Sequence, residues 1–406
     1  YNAFRQVEAV YRDMNNNSTR DATDPQVSYT YNANRRLSQI HHNNFDYNLY
    51  YDVFGNMTSL AVAGNTLAAY AYAPNNGKLR SVTYGNGYSR SYEYDLLGRV
   101  VEQKQGNTVR ESFTYDLRGN LLTAQNAVES LTFSYDDSDR LQSSLHRFGN
   151  QRLNVSYTYG TGNRLERAVY DGSSLYGDYV YTYGTNSAVK TVKVNNSTLL
   201  SYCYDTLGRR IQADIGSVVN AHYVYKNGSG GENATTTLVS TLVYPDRQYH
   251  FTYGENRAIL SVERVQGSDT KTTTYAYDSM DQLIREDNPF AGKTYVYTYD
   301  LGGNLLTKTT YAYTQPNSTP TSPLSTVTYG YDSEWHDLLT SYDGSPITYD
   351  GIGNPLSYRG STFVWDGRQL TQATKGSETL SYVYGVNGMR LQKTYATPTK
   401  TVTTSH

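Results

Sequence analysis

The ten-residue stretch Phe113–Leu122, which reads FTYDLRGNLL, constrains the fold more than any other feature because near-copies of it recur along the chain. In an extended strand, Phe113 and Tyr115 share one face and the threonine between them takes the other. Asp116 can accept hydrogen bonds from nearby backbone N–H groups, and Gly119 supplies the positive φ that a tight turn needs. The unit therefore predicts a β-hairpin in the order strand, turn, strand.

About 17 copies follow one another at a spacing of about 20 to 24 residues, which is typical of a repeat architecture rather than of independent domains. We therefore predict one repeat region over residues 1–406, as a segment of a longer protein because the chain opens inside an incomplete repeat and without a methionine. In the best-formed copies we predict a structural repeat motif with no catalytic role. Its residues are Tyr94, Asp95, Gly98 and Arg99; Tyr115, Asp116, Gly119 and Asn120; Tyr204, Asp205, Gly208 and Arg209; Tyr299, Asp300, Gly303 and Asn304; and Tyr349, Asp350, Gly353 and Asn354.

Composition supports an all-β chain and excludes several functions. Tyrosine numbers 44 against 9 phenylalanines, and tyrosine and threonine suit the pleated, half-buried surface of a sheet. Lys and Arg number 35 against 37 Asp and Glu without long runs of either sign, so we predict no nucleic-acid partner. No apolar run reaches the roughly 18 residues of a spanning helix, so we predict no membrane span. Cys203 cannot form an intramolecular disulfide alone, and we expect it to be a small packed side chain.

The groups that could carry chemistry do not form a recognisable site, so we predict no catalytic residues, no metal and no cofactor. His41 and His42 would point to opposite faces of a strand, which disfavours a shared metal. Three carboxylates within Asp136–Asp139 could hold calcium, but the spacing of an EF-hand loop is missing. The glycine-rich stretch Gly228–Gly231 lacks the Lys-Ser or Lys-Thr pair of a phosphate loop. We therefore predict that the chain is not an enzyme.

The recurring pattern of Tyr-Asp, two variable residues, Gly-Asn or Gly-Arg, and then Leu resembles the YD-repeat, or RHS-repeat, family of bacterial surface and secreted proteins, which also occurs in teneurins. The resemblance covers essentially the whole chain. It implies long β-hairpins that pair edge to edge in one continuous antiparallel sheet, which spirals into a hollow shell. It also implies that the shell encloses or presents a polypeptide cargo such as a C-terminal toxin, in a secreted or cell-surface bacterial protein.

The same resemblance implies that the main partners are flanking repeats and the enclosed C-terminal cargo of the same polypeptide. One feature of the family is missing, namely a self-cleaving Asp-Pro followed by spaced glycines near the C-terminus. The Asp-Pro at Asp24–Pro25 continues into Gln-Val instead. We therefore expect that this segment does not release a cargo by itself.

Two alternatives remain open at this stage. A β-propeller of about eight four-stranded blades would also accommodate the repeats. A cell-surface adhesion or carbohydrate-binding module would use exposed tyrosines to stack on surface glycans or receptors, so the exposure of the rings should decide between these functions. Finally, the proline-rich stretch Gln315–Pro323 is predicted to be an exposed loop and a harmless surface insertion.

Overall fold

The computed structural model describes residues 1–14, 17–21, 24–172, 176–229 and 234–405. These residues contain no α-helix, and a single turn of 3-10 helix covers Thr161–Asn163. The strands form one 36-stranded antiparallel sheet. This confirms the predicted continuous all-β sheet, whereas the propeller alternative is wrong because a propeller divides its strands among separate blades. No helix in the described part of the chain is long and apolar enough to cross a membrane.

The strands follow one another through the chain with short turns between them, so that the hairpin is the unit of construction. The strands of the first half are β1 Ala9–Tyr11, β2 Gln26–Tyr31, β3 Leu37–His42, β4 Phe45–Tyr51, β5 Met57–Val62, β6 Asn65–Tyr72, β7 Leu79–Tyr84, β8 Ser89–Tyr94, β9 Val100–Gln105, β10 Thr108–Tyr115, β11 Leu121–Gln125, β12 Glu129–Tyr135, β13 Leu141–Phe148, β14 Gln151–Tyr159, β15 Leu165–Gly172, β16 Tyr176–Tyr183, β17 Val189–Val194 and β18 Ser197–Tyr204. Those of the second half are β19 Arg210–Ile215, β20 Val219–Asn227, β21 Thr235–Val243, β22 Gln248–Tyr253, β23 Ile259–Gln266, β24 Asp269–Tyr277, β25 Leu283–Asn288, β26 Lys293–Tyr299, β27 Leu305–Ala312, β28 Ser325–Tyr331, β29 Leu339–Tyr342, β30 Ser345–Tyr349, β31 Pro355–Tyr358, β32 Ser361–Asp366, β33 Gln369–Lys375, β34 Glu378–Tyr384, β35 Arg390–Ala396 and β36 Thr401–Ser405.

Contacts divide the chain into two compact units. Unit 1 contains Tyr1–Ser130, Thr298–Lys308 and Val327–His406, and thus joins residues from both ends of the sequence. Unit 2 contains Leu131–Tyr297 and Thr309–Thr326. Because two segments from the second half of the sequence belong to unit 1, its compactness depends on contacts between residues that are far apart in the chain.

The two faces of the strand that carries the aromatic pair differ, as the alternation in the repeat predicts. Phe113 and Tyr115 are half-buried, whereas Thr114 between them is exposed. Phe113 is paired with Ala124 of the next strand, and Ala124 is only 2% exposed. The same pairing recurs where Tyr157 opposes Ala168. A small buried residue opposite the first aromatic residue therefore lets the ring lie close to the sheet.

Cys203 does not follow our expectation of a packed side chain, because it is exposed. It lies between Tyr202 and Tyr204, in the position that threonine takes in other repeats, and strand alternation turns that position to the open face. The expectation was wrong because we judged cysteine by residue type rather than by its place in the repeat.

The proline-rich stretch Gln315–Pro323 connects β27 to β28 and is largely exposed. Its backbone is nevertheless anchored in unit 2, because the guanidinium group of Arg285 donates to the carbonyl oxygens of Gln315 and Ser318 at 3.2 and 2.8 Å. Arg285 also pairs with the buried carboxylate of Asp287 at 2.9 Å. The loop is therefore a fixed feature of the surface. The other predicted loop, Gly228–Gly231, continues into residues 230–233, which lie outside the described residues.

Candidate functional site

The predicted motif residues occupy the turn that joins the two strands of a repeat. In the central copy, the carboxylate of Asp116 accepts hydrogen bonds from the backbone N–H groups of Arg118 and Asn120 at 2.9 and 2.8 Å. Its second oxygen accepts from the side-chain amide of Asn120 at 2.9 Å. Gly119 has a φ of +100°, a backbone conformation that is costly for other residues. Asp52, Asp300 and Asp350 hold Asn56, Asn304 and Asn354 in the same way.

Where arginine replaces asparagine at the end of the motif, it makes the same bond and also reaches the next repeat. Arg99 donates from Nε to Asp95 at 2.6 Å and from Nη1 to the backbone carbonyl of Asp116 at 2.8 Å. Its guanidinium carbon lies 4.7 Å from the centre of the Tyr115 ring. Arg209 repeats this arrangement with Asp205 at 2.6 Å and the Tyr225 ring at 4.3 Å. The arginine therefore joins successive hairpins through an ion pair and a cation–π contact.

The second tyrosine of the repeat joins hairpins by its hydroxyl group, which donates to a backbone carbonyl in the strand that follows the preceding turn. Tyr115 donates to Val100 at 3.0 Å, and Tyr94 donates to Leu79 at 2.7 Å. The same bond is made in both units by Tyr51, Tyr72, Tyr159, Tyr183, Tyr204, Tyr225, Tyr253, Tyr277, Tyr331, Tyr349 and Tyr384. Tyr299 ends β26 at the equivalent position. Phenylalanine could fill the same space but could not make this bond, which explains why tyrosine predominates.

The motif groups are held in the protonation states that these bonds require. Burial raises the pKa of the Tyr115 hydroxyl and of the Tyr94 hydroxyl, so both remain neutral donors. The backbone N–H of Arg99 and its guanidinium group hold the pKa of Asp95 below its usual range. Burial raises the pKa of Asp116, but the hydrogen bonds from Asn120, Arg118 and Gly119 outweigh it and lower the pKa overall. The aspartates are therefore charged acceptors at neutral pH.

A second set of contacts lies in unit 1, where the hairpin tips of the first repeats meet the turns of the last repeats. Asn43 donates to the carboxylate of Asp300 at 3.1 Å. Asn86 donates to the carboxylate of Asp350 at 2.8 Å. Asn126 donates to the carbonyl oxygen of Tyr384 at 3.1 Å. These three pairs are separated by 257, 264 and 258 residues. We call this row of contacts, between tips in residues 42–129 and turns in residues 300–388, the seam.

The hydrophobic cluster of unit 1 lies in the seam. Phe45, Val62 and Leu67 are 5%, 0% and 7% exposed, and Trp335 packs against them. The Trp335 indole also donates to the hydroxyl group of Tyr47 at 3.1 Å. Trp335 lies in a lengthened turn between β28 and β29. This one irregular turn therefore packs against residues of three regular strands, β4, β5 and β6. The seam therefore combines apolar burial with hydrogen bonds.

Glycines allow the backbones to approach in the seam. A Cβ atom on Gly351 would lie 2.5 Å from the carbonyl oxygen of Gly85, and one on Gly367 would lie 3.0 Å from the Tyr88 ring. A Cβ atom on Gly385 would lie 2.5 Å from the carboxylate of Glu129, which accepts a hydrogen bond from the backbone N–H of Val386 at 2.9 Å. At Gly351 a side chain is excluded by backbone that is far away in the sequence, whereas at Gly367 and Gly385 the distant Tyr88 and Glu129 side chains would have to shift.

The groups that we considered for chemistry serve other contacts in the described residues. His41 pairs with Asp46 at 2.7 Å, and His42 lies 3.5 Å from Asp337 in the seam. The carboxylate of Asp136 is bound to Arg140. No group of three or more histidine, cysteine, aspartate or glutamate side chains in the described part of the chain could hold a metal ion. His406 lies outside the described residues.

The fold and this repeat geometry agree with comparisons to known proteins. The family model described as the teneurin YD-shell matches residues 1–151 and 78–249. The chain belongs to the teneurin YD-shell family. No curated protein sequence matches the chain.

Solved structures share the fold of this YD-shell chain at low sequence identity. The crystal structure of TcdB2-TccC3-TEV superposes with a TM-score of 0.78 at 14% identity and covers 94% of this chain and 22% of its own. The crystal structure of TcdB2-TccC3 without its hypervariable C-terminal region superposes with a TM-score of 0.77 at 14% identity and covers 94% of this chain and 22% of its own. The structure of the Photorhabdus luminescens Tc holotoxin pore superposes with a TM-score of 0.78 at 14% identity and covers 98% of this chain and 23% of its own. The YD-shell chain thus spans less than a quarter of the length of these proteins.

Proposed function

We propose that this YD-shell segment encloses or presents a polypeptide cargo, such as a C-terminal toxin, in a secreted or cell-surface bacterial protein. Its partners are the flanking repeats and the cargo of the same polypeptide, and residues 1–406 act as one repeat region of a longer protein. The segment contributes the wall, and its motif residues from Tyr94 to Asn354 have a structural role with no part in catalysis.

The seam is the observation that carries this proposal. A sheet made only of local hairpins could remain an open ribbon with two free edges. In unit 1 the tips of early hairpins are instead bonded to the turns of late ones across more than 250 residues of chain. Contacts of this kind support a wall built from successive layers of hairpins, which is what a container requires.

The polar character of the sheet faces supports the same function. Thr114 and Thr123 form a hydroxyl pair at 2.6 Å on an exposed face, and Thr182 and Thr191 do the same. The other face carries half-buried tyrosines rather than a sealed apolar layer. A wall needs neither face to be covered by another sheet, because one meets solvent and the other a cavity.

The adhesion alternative gains no support from the described residues. Stacking on a sugar ring requires an aromatic face that is open to solvent. The motif tyrosines are half-buried, and their hydroxyl groups donate to neighbouring hairpins. Four other tyrosines are more exposed, but each stands outside a Tyr-Asp pair; they are Tyr1 at 86%, Tyr11 at 41%, Tyr50 at 54% and Tyr176 at 61%.

Protease protection tests the proposal. An unfolded reporter polypeptide fused after His406 should be cleaved by trypsin at least about tenfold more slowly than the same reporter fused to an unrelated folded domain, since cleavage follows the fraction of accessible chain. Trp335→Ala, which weakens the seam, should restore cleavage. If the reporter fused to the unchanged segment were cleaved as fast as the reporter fused to the unrelated domain, the segment would not enclose cargo.

A further inference from the structure

The seam includes an Asn-Gly pair, Asn86–Gly87, at the hairpin tip between β7 and β8. Nδ2 of Asn86 donates to the carboxylate of Asp350 at 2.8 Å and to the carbonyl oxygen of Gly367 at 3.4 Å. These partners lie 264 and 281 residues later in the chain. A carboxylate at residue 86 would have no hydrogen to donate to either partner. This part of the seam therefore depends on the side chain of Asn86 remaining an amide.

Asparagine followed by glycine deamidates readily, because glycine has no Cβ atom to hinder the approach of its nitrogen to the preceding side chain. The backbone nitrogen of Gly87 attacks Cγ of Asn86 and gives up its proton, the Cγ–Nδ2 bond breaks, and ammonia leaves. One water molecule then opens the resulting succinimide at either carbonyl, which leaves aspartate or isoaspartate. The reaction therefore requires only water and a side chain of Asn86 that is free to turn towards Gly87.

A second Asn-Gly pair, Asn76–Gly77, provides a comparison within the same molecule. It lies in the turn between β6 and β7, at the opposite end of β7 from Asn86. In both pairs the glycine N–H donates to a carbonyl of its own turn, and Oδ1 of the asparagine accepts from the N–H two residues later. Asn76 is exposed, whereas Asn86 is half-buried and its Nδ2 is bonded across the seam. The two pairs therefore share their local geometry and differ in the contact with the seam.

The closed seam opposes deamidation of Asn86. Its side chain cannot turn towards the nitrogen of Gly87 without breaking both of its distant hydrogen bonds. The backbone of the tip is held as well, because a Cβ atom on Gly351 would lie 2.5 Å from the carbonyl oxygen of Gly85, and Ile352 beside this contact is only 3% exposed. The rate of the reaction should therefore follow the fraction of molecules in which this contact is open.

The products of the reaction cannot restore the contact. A carboxylate at residue 86 would face the carboxylate of Asp350 where Nδ2 of Asn86 now lies 2.8 Å from it. Two like charges at this distance repel each other. Isoaspartate also adds one backbone atom to the tip and so changes its shape. Closure at this point is therefore lost once the amide has been converted.

We propose that Asn86–Gly87 is a deamidation site that the closed seam protects, and that its conversion turns a transient opening of the seam at Asp350 into a permanent one. The pair thus acts as a one-way latch. An intact seam preserves the amide that holds it closed, whereas an opened seam loses that amide. The proposal concerns the seam alone and does not require that the wall hold a cargo.

Peptide mass spectrometry of the full chain during incubation in mildly alkaline buffer tests the protection. Asn86 should deamidate at least about tenfold more slowly than Asn76 in the same molecules. Gly351→Ala places a Cβ atom against the backbone of the tip, so it should remove this difference while Asn76 keeps its rate. Gly302→Ala is the matched control, because it lies in the turn of Asp300, which meets a different tip. In that variant Asn86 should remain slow.

Asn86→Asp tests the permanent effect, and Asn76→Asp is its matched control, because it makes the same change of charge outside the seam. Hydrogen exchange in residues 84–88 and 350–354 should rise at least about tenfold in Asn86→Asp and remain unchanged in Asn76→Asp. Equal deamidation of Asn86 and Asn76 in the unchanged protein, or unchanged exchange in Asn86→Asp, would each overturn the proposal. Protection of a fused reporter is measured on the unamended amide form, so failure of this proposal and failure of cargo enclosure are distinguishable.

Discussion

Replacing Trp335 with alanine should open the seam while leaving the repeats in place. The indole packs on Phe45, Val62 and Leu67 and donates to Tyr47 at 3.1 Å. Truncating a fully buried tryptophan costs about 3 to 5 kcal/mol, and the half-buried state of Trp335 reduces that contribution to about 2 kcal/mol. The lost hydrogen bond adds about 1 kcal/mol. The seam should therefore lose about 3 kcal/mol.

Hydrogen–deuterium exchange read by mass spectrometry can localise this loss. About 3 kcal/mol corresponds to a roughly 100-fold increase in local opening, which should appear in β4 to β6 and in residues 332–338. Trp335→Phe is the matched control, because it keeps most of the packing and loses only the indole donor, so exchange should rise only about fivefold. Unchanged exchange in both segments of the alanine variant would refute the view that Trp335 anchors the seam.

Three further predictions concern the repeat and its turns. Tyr115→Phe removes the donor to the Val100 carbonyl and should lower the free energy of unfolding in urea by about 1 kcal/mol. Thr114→Val on the exposed face is the control and should lower it by less than about 0.5 kcal/mol. Equal losses in the two variants would contradict the role of the Tyr115 hydroxyl. Arg257 has a φ of +68°, so Arg257→Gly should stabilise the protein by about 0.5 to 1 kcal/mol and raise its melting temperature. Gly119 has a φ of +100°, so Gly119→Ala should lower the melting temperature. The opposite changes in melting temperature would be inconsistent with the turn geometry. Burial raises the pKa of Asp350, but hydrogen bonds from Asn86 and Asn354 lower it overall. Burial likewise raises the pKa of Asp300, but hydrogen bonds from Asn304 and Asn43 lower it overall. The stability that these two carboxylates contribute is complete above the unfolded pKa of about 4 and is lost as the pH falls below it. Hydrogen exchange at the seam should therefore rise in acid, and Asn86→Ala should reduce this pH dependence. An identical acid response in the variant would contradict the role of the two carboxylates.

The turn geometry and the two strand faces of each repeat could be predicted from the sequence, because the residues that determine them lie within a few positions of each other. Asp116, Gly119 and Asn120 are neighbours in one turn, so their spacing predicts their geometry, and the alternation of Phe113, Thr114 and Tyr115 predicts the two faces. The rings of Tyr170 and Tyr179 lie 5.1 Å apart, but the recurring contacts between hairpins are a hydroxyl bond to a carbonyl and an arginine on the ring. These contacts depend on the register of the neighbouring hairpin.

The seam could not be predicted because its partners are more than 250 residues apart and its residues look ordinary. Asn43, Asn86 and Asn126 are common turn residues, and nothing in their own sequence indicates a distant carboxylate. Gly351 looks like a further turn glycine, although the backbone of a distant hairpin tip excludes a side chain there. One signal was available, since Trp335 lies in a lengthened turn, in which Asp332 bonds to Leu338, whereas Asp95 bonds to Arg99 in a regular copy.

Cross-linking across the seam tests the central claim most directly. In a Cys203→Ser background, cysteines placed at Asn86 and Arg368 should be joined within one molecule by a short bismaleimide, because the Asn86 side chain lies 3.4 Å from the carbonyl oxygen of Gly367. Cysteines at Asn86 and Met389 form the out-of-register control, since Met389 follows the turn that meets the Asn126 tip instead. The layered wall predicts efficient linkage of the first pair only. Equal linkage of both pairs, or none of the first, would contradict it.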